Sequence, residues 1–234
     1  MSFVGVCVCG KAGSGKNEFA RTFADALAER GGWAAEINFA DALKQELWEV
    51  YGLTKQSSNG RSKLIELGQS RREENPEYWI DRLAERIAHA APYGITPVIT
   101  DCRYVNELAW AKRNNFVTIR IDASATDRAL VMHARGEDPG FVYSEHASEC
   151  ELDEADYHLR FTNPHSDRFA LVRAAYWALD LLLEDAETVG SLSDAVVLGP
   201  EDQLPKLPNL GSKLVGSFAK VRNLLDLSVK HGSG

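Results

Sequence analysis

Hydrophobic and polar positions follow two rhythms along this chain. An unbroken apolar run from Phe3 to Cys9 has the length and β-branched character of a buried strand. It gives way at Gly10 to a glycine-rich turn, after which Phe19, Ala20, Phe23, Ala24 and Leu27 recur at helical spacing. The spacing predicts a helix over 17–30, stopped by Gly31-Gly32. A strand over 34–39 follows, and then an amphipathic helix from Phe39 through Leu47, Trp48 and Tyr51 to Gly52. Residues 54–60 are polar and turn-like. Leu64, Ile65 and Leu67 predict a helix over 61–72, and Asn75-Pro76 opens another with Trp79, Ile80, Leu83 and Ile87 on one face.

The alternation continues with strands over 97–101, 116–121 and 157–161 and helices over 106–114, 125–134 and 166–184. Residues 135–149, with Gly136, Pro139 and Gly140, fit no regular element. Strands alternating with helices predict an α/β fold, a parallel sheet with helices on both faces. The main domain is expected to cover 1–188. Prolines 200, 205 and 208 with Gly199 and Gly211 mark a linker over 189–211. In the 212–234 tail, Leu214, Phe218, Val221 and Leu225 return to helical spacing. From Leu204 onward five basic residues face one acid, so the tail reads as a helix docked on the domain or on a second copy, or as a DNA-contacting arm.

The chemistry begins at the first turn. Gly10, Gly15 and Lys16 occupy the fixed positions of the phosphate-binding pattern GxxxxGK[ST], placed between a strand and a helix. Glycines let successive N–H groups point at one phosphate, and the following helix adds its unpaired N–H groups and positive dipole end. Residues Gly10, Ala12, Gly13, Ser14, Gly15, Lys16 and Asn17 are therefore the nucleotide-binding candidates. Asn17 stands where the pattern has Ser or Thr, which normally touches Mg²⁺; its amide oxygen offers that contact directly or through water.

Phosphate binding does not specify a reaction. No NKxD guanine-reading motif is present, and motor or helicase domains need more chain. Single acids and cations instead fall on connecting segments: Asp41, Lys44, Arg61, Arg71, Arg72, Asp101, Arg103 and Arg135. Asp101 ends an apolar strand, where open α/β sheets place their ligands. This distribution suits a small kinase, in which arginines neutralise facing phosphates and a segment closes over them.

Five stretches in order carry a resemblance: Phe39-Ala40-Asp41-x-Leu43-Lys44, the Leu67-Gly68 helix ending in Arg71-Arg72, Asn75-Pro76-x-x-Trp79, Thr100-Asp101-x-Arg103-x-x-Asn106-Glu107, and Ser144-x-His146-x-Ser148-Glu149. With the phosphate loop, they resemble the bacteriophage deoxynucleoside monophosphate kinases over residues 3–175. The resemblance implies a P-loop NTPase fold of the nucleoside monophosphate kinase type, with ATP and Mg²⁺ as cofactors. It implies transfer of the γ-phosphoryl group to the 5′-phosphate of a deoxynucleotide. Lys16 would stabilise the moving phosphoryl group and Asp101 would hold Mg²⁺ through water. Arg72 and Arg103 would grip the acceptor phosphate, and Arg135 would be the arginine of a lid over 135–149. Asp41, Lys44 and Trp79 complete the acceptor candidates, although Asp41 could equally cap its helix, Lys44 lie on a solvated face and Trp79 be core. The chain departs from the family at Asn17, where relatives often carry an acid, and at Gln69-Ser70, where they tend to have Thr-Glu.

Two rival readings remain. A P-loop kinase acting on a 5-hydroxymethyl pyrimidine in phage DNA would use the basic tail, with Asp41 or Asp101 as general base. A nucleotide-binding module without phosphotransfer would fit Asn17. The net charge of −8 argues against a broadly basic DNA-binding surface. No apolar run reaches the roughly 20 residues that span a bilayer, so no membrane partner is expected. No leader pattern precedes the first strand, and the expected location is the cytoplasm, that of the host cell for a phage protein. The partners expected are a small deoxynucleotide, with DNA or a second subunit through the tail. Cys7 and Cys9, two apart on one strand, are poorly placed for a disulfide; the four cysteines show no zinc spacing and read as reduced, buried thiols.

Overall fold

The computed structural model describes residues 4–143, 150–164, 167, 169–184 and 196–198. Its first strand, β1 (Gly5–Cys9), is buried along its whole length. Strand side chains alternate between faces, so Val6 and Val8 point to one layer of helices and Cys7 and Cys9 to the other. The elements that follow are α1 (Lys16–Glu29), β2 (Trp33–Glu36), α2 (Phe39–Tyr51), α3 (Gly60–Glu74) and α4 (Tyr78–Ala90). Then come β3 (Ile95–Ile99), α5 (Val105–Arg113), β4 (Phe116–Asp122), α6 (Ala125–Ala134), β5 (Leu159–Thr162), α7 (Ala170–Glu184) and β6 (Val196–Leu198).

All strand pairs are parallel, in the order β2-β3-β1-β4-β5-β6. On one face Phe19, Phe23 and Leu27 of α1 meet Leu171, Leu179 and Leu182 of α7 over Val6, Val8, Ile119 and Ile121. On the other, Leu43 and Leu47 of α2, Trp79 and Leu83 of α4 and Leu108 of α5 cover Cys7, Cys9 and Ile99. Burying each such side chain contributes roughly 1.5–3 kcal/mol. β1 is thus central, and everything at its carboxyl end is held by both layers.

Several boundaries differ from the sequence expectation. β3 starts two residues earlier and ends two residues earlier, because Thr100 gives its N–H to Asn38 Oδ1 (2.8 Å) instead of the strand ladder. Pro97 therefore lies inside a central strand, where proline is rare. Gly5 accommodates it: a Cβ there would overlap the Pro97 carbonyl and come within 2.8 Å of Pro97 Cγ. α4 starts at Tyr78, after a turn in which Asn75 Oδ1 accepts from Glu77 N (3.0 Å). β6 falls within the stretch expected to be a linker and pairs with β5. The remainder of that stretch, the 212–234 tail and the lid residues 144–149, His146 among them, lie outside the described residues. Among the described residues no helix is long and apolar enough to cross a membrane.

Candidate active site

The turn between β1 and α1 has the backbone that its glycines allow. Gly10, Gly13 and Gly15 have φ of 147°, 79° and 100°, in the region side chains disfavour. Space is as restrictive as dihedral angle. A Cβ on Gly10 would overlap the Ile121 carbonyl of β4 and lie 2.6 Å from Ser14 Oγ; one on Gly15 would lie 2.5 Å from Leu171 Cδ1 and 2.7 Å from Asn163 Nδ2. Asn163, just past β5, donates to the Ser14 carbonyl (2.9 Å), and Arg128 of α6 donates to the Ala12 carbonyl (3.3 Å). The loop is therefore braced from β4, β5 and α6. Ser14 Oγ is buried without a hydrogen-bond partner among the described residues.

Lys16 opens α1 and is almost fully buried, its ammonium donating to the carbonyls of Gly10 (2.6 Å) and Lys11 (2.9 Å). Its head group thus already spans the loop that would hold a phosphate. Asn17 is exposed beside it. Asn17, Glu18 and Arg21 of α1, Glu36 at the end of β2 and Arg135 at the end of α6 line a cleft of about 380 Å³. The structure therefore brings Asn17 and Arg135, 118 positions apart in sequence, to one opening.

The second group of residues lies beyond β2 and β3. Asp101 accepts from Phe39 N (3.0 Å) and Ala40 N (2.8 Å), so its carboxylate caps α2, a different helix from the one that follows it in sequence. Burial pushes its pKa up to about 6 against the pull of those two N–H groups. Thr100 donates to Glu36 Oε1 (2.5 Å), which also accepts from Asn38 Nδ2 (2.7 Å), tying the ends of β2 and β3 together. Asp41 closes a capping box by accepting from Asn38 N (3.0 Å) and pairs with the exposed Lys44 (3.3 Å). Both are placed as cap and helix surface, at the rim of the Asp101 network.

The Arg103 backbone and the Arg72 side chain meet at Glu107. Glu107 accepts from Arg103 N (2.8 Å) and Tyr104 N (3.3 Å), capping α5, and pairs with Arg72 Nη2 (3.2 Å). The Arg72 guanidinium lies over the Tyr104 ring, 4.4 Å from its centre. Burial pushes Glu107 up to about 7 despite these partners. Trp79 is elsewhere: its ring is 2% exposed in the α2–α4 core and its indole N–H donates to the Gly68 carbonyl (3.1 Å). A base could not stack on it without unpacking that core, so the substrate-binding expectation for Trp79 is corrected to a structural one.

The oxygen donors among the metal candidates are all hard: the Asn17 amide and Glu36 at the cleft, and Asp101 beyond the end of β3. Asp101 keeps a lone pair on each oxygen after capping α2. This donor set fits Mg²⁺ held partly through water rather than in an all-protein cage.

Residue-type reasoning missed Glu36, Arg128 and Asn163. Glu36 and Asn163 sit at or beyond the carboxyl ends of strands, the position at which open sheets place ligands, and that rule could have flagged them. Arg128 carries no such signal. It is buried, bridging the Ala12 and Val142 carbonyls (3.3 and 2.9 Å), and only the folded chain brings these three together.

No family model matches the sequence, and no curated protein sequence matches it. Among solved structures, a Thermus thermophilus protein covers 79% of this chain and 99% of its own, at 18% identity and a TM-score of 0.52. An APS kinase of Mycobacterium tuberculosis, solved with AMPPNP and APS, covers 77% and 99%, at 20% identity and a TM-score of 0.46. A gluconokinase from Sinorhizobium meliloti covers 83% and 100%, at 18% and 0.48. The fold is that of the α/β P-loop NTPases, as the parallel sheet and loop geometry require.

Proposed function

We propose that the chain transfers the γ-phosphoryl group of ATP to the 5′-phosphate of a deoxynucleoside monophosphate. The observation that carries this reading is the cleft in which the start of α1 and Arg135 face each other beside the phosphate loop. The acceptor class rests on the resemblance of the 39–44, 67–72, 75–79 and 100–107 stretches to the bacteriophage deoxynucleoside monophosphate kinases.

In this reading the ATP phosphates lie on the N–H groups of residues 10–16 and the α1 N-terminus. Lys16 leaves the Gly10 and Lys11 carbonyls for the β- and γ-phosphate oxygens, and follows the phosphoryl group as it moves. Asn17 and Asp101, with Glu36 alongside, would hold Mg²⁺, which would neutralise the phosphate oxygens. Arg135 approaches from the opposite wall and balances charge on the group in transit. Arg103 and Arg72 would face the acceptor phosphate. An acceptor that is already an anion needs no general base, so positioning and charge do the work.

The test is a coupled ADP-release assay on each deoxynucleoside monophosphate, with hydroxymethylated pyrimidine nucleotides and modified duplex DNA in parallel and Lys16→Ala as the blank. Turnover on a free monophosphate that vanishes in Lys16→Ala supports the reading. Turnover on DNA alone, or none on any acceptor, refutes it.

A further inference from the structure

Cys7, Cys9 and Cys102 are free and buried, as the sequence led us to expect, and folding brings these three together. Cys7 and Cys9 project from the same face of β1, their sulfurs 4.0 Å apart. Cys102 comes in from the β3–α5 connection, 93 positions later in sequence than Cys9, so that all three Sγ atoms lie within 4.8 Å of one another. All three residues are buried, Cys102 at 3% exposure being the nearest to solvent. Cys150 is not part of the group.

We propose that Cys7, Cys9 and Cys102 form a three-sulfur site for a soft, thiophilic d¹⁰ cation, of which Cu(I) is the biological representative. The geometry sets the class. Metal–thiolate bonds of about 2.3 Å in a trigonal plane put the sulfurs about 4.0 Å apart. Cys7 and Cys9 already have that separation, and the third sulfur needs to close by less than an ångström. Three thiolates with no oxygen or imidazole donor select soft ions over Mg²⁺ or Ca²⁺. The site also has compensating charge, since the Arg120 guanidinium and the Lys16 ammonium both act on Cys9. The connection that carries Cys102, the nearest of the three to solvent, also carries Asp101 and Arg103. A bound ion would pin that loop to β1 one residue before Gly10.

The experiment uses the full chain, reduced and anaerobic, titrated separately with Cu(I) and Cd(II). Metal content after gel filtration is measured for the wild type, Cys102→Ser and Cys150→Ser. The expected result is one ion per chain in the wild type and in Cys150→Ser, and affinity weakened roughly a hundredfold or more in Cys102→Ser, since loss of a ligand exceeds the 10–100-fold cost of losing an outer-shell partner. X-ray absorption on the loaded wild type gives a second reading that needs no variant to fold: three sulfur neighbours and no nitrogen or oxygen. Substoichiometric binding by the folded wild type, undiminished binding in Cys102→Ser, loss in Cys150→Ser, or a mixed sulfur–oxygen shell would each overturn the proposal.

Discussion

Glu107 offers a perturbation whose size follows from its surroundings. It is 2% exposed, accepts from two backbone N–H groups and pairs with Arg72, yet burial raises its pKa from 4.5 to about 7. The folded state therefore holds the proton more tightly than the unfolded chain. Stability from this group is complete below pH 4.5 and is lost as pH climbs through 7. At about 1.4 kcal/mol per factor of ten in proton affinity, the loss is about 3 kcal/mol, most of it between pH 5 and 8. Asp101, raised from 3.8 to about 6, acts in the same direction in the lower part of that window. His158, lowered by burial, acts oppositely, adding stability as pH rises toward 6.5. Asp122 and Asp167 are lowered, so their contributions are in place above pH 3.8 and stay flat. Glu107→Gln keeps an acceptor for Arg103 N and cannot ionise, so the difference between the two proteins isolates this one group. Urea unfolding at intervals from pH 5 to 8 should show the wild type losing about 2–3 kcal/mol relative to the variant. Parallel pH profiles in the two proteins would show that Glu107 is already ionised at pH 5, and the reasoning from burial would be wrong.

Arg135→Ala, an exposed residue at the end of α6, should lower kcat/KM about 10²–10³-fold with the melting temperature unchanged, read by steady-state kinetics and calorimetry. Gly10→Ala adds a Cβ against the Ile121 carbonyl at φ 147° and should cost about 2–6 kcal/mol in urea unfolding while abolishing ATP binding by calorimetric titration. Trp79→Ala should cost about 3–5 kcal/mol of stability yet leave KM for both substrates within about twofold below its unfolding transition; a large rise in KM would restore Trp79 to the substrate site.

What was legible in the sequence was what neighbours in the chain decide. The Phe3–Cys9 run, the glycine turn and the Phe19–Leu27 spacing are contiguous, and the first strand, phosphate loop and helix emerged where they were expected. The alternation of elements likewise gave the layered parallel architecture. Contacts between distant segments were not legible. Arg128 reaches Ala12 across 116 positions, and Cys102 joins Cys7 and Cys9 only because β3 lies beside β1. Trp79 shows the ambiguity of residue type, since a tryptophan on an amphipathic face suits a core and a base platform equally; the Gly68 carbonyl decides it. Asp101 was placed at the correct strand end, but its hydrogen-bonding to α2 depends on how β2 and β3 come together.

The central claim is tested most directly by following the transferred group itself. A single turnover with γ-labelled ATP and a deoxynucleoside monophosphate, separated by anion-exchange chromatography, shows where the label goes. The account requires it in the β-position of the deoxynucleoside diphosphate with the wild type and in unreacted ATP with Lys16→Ala. Label recovered as inorganic phosphate or on a hydroxyl acceptor would contradict it.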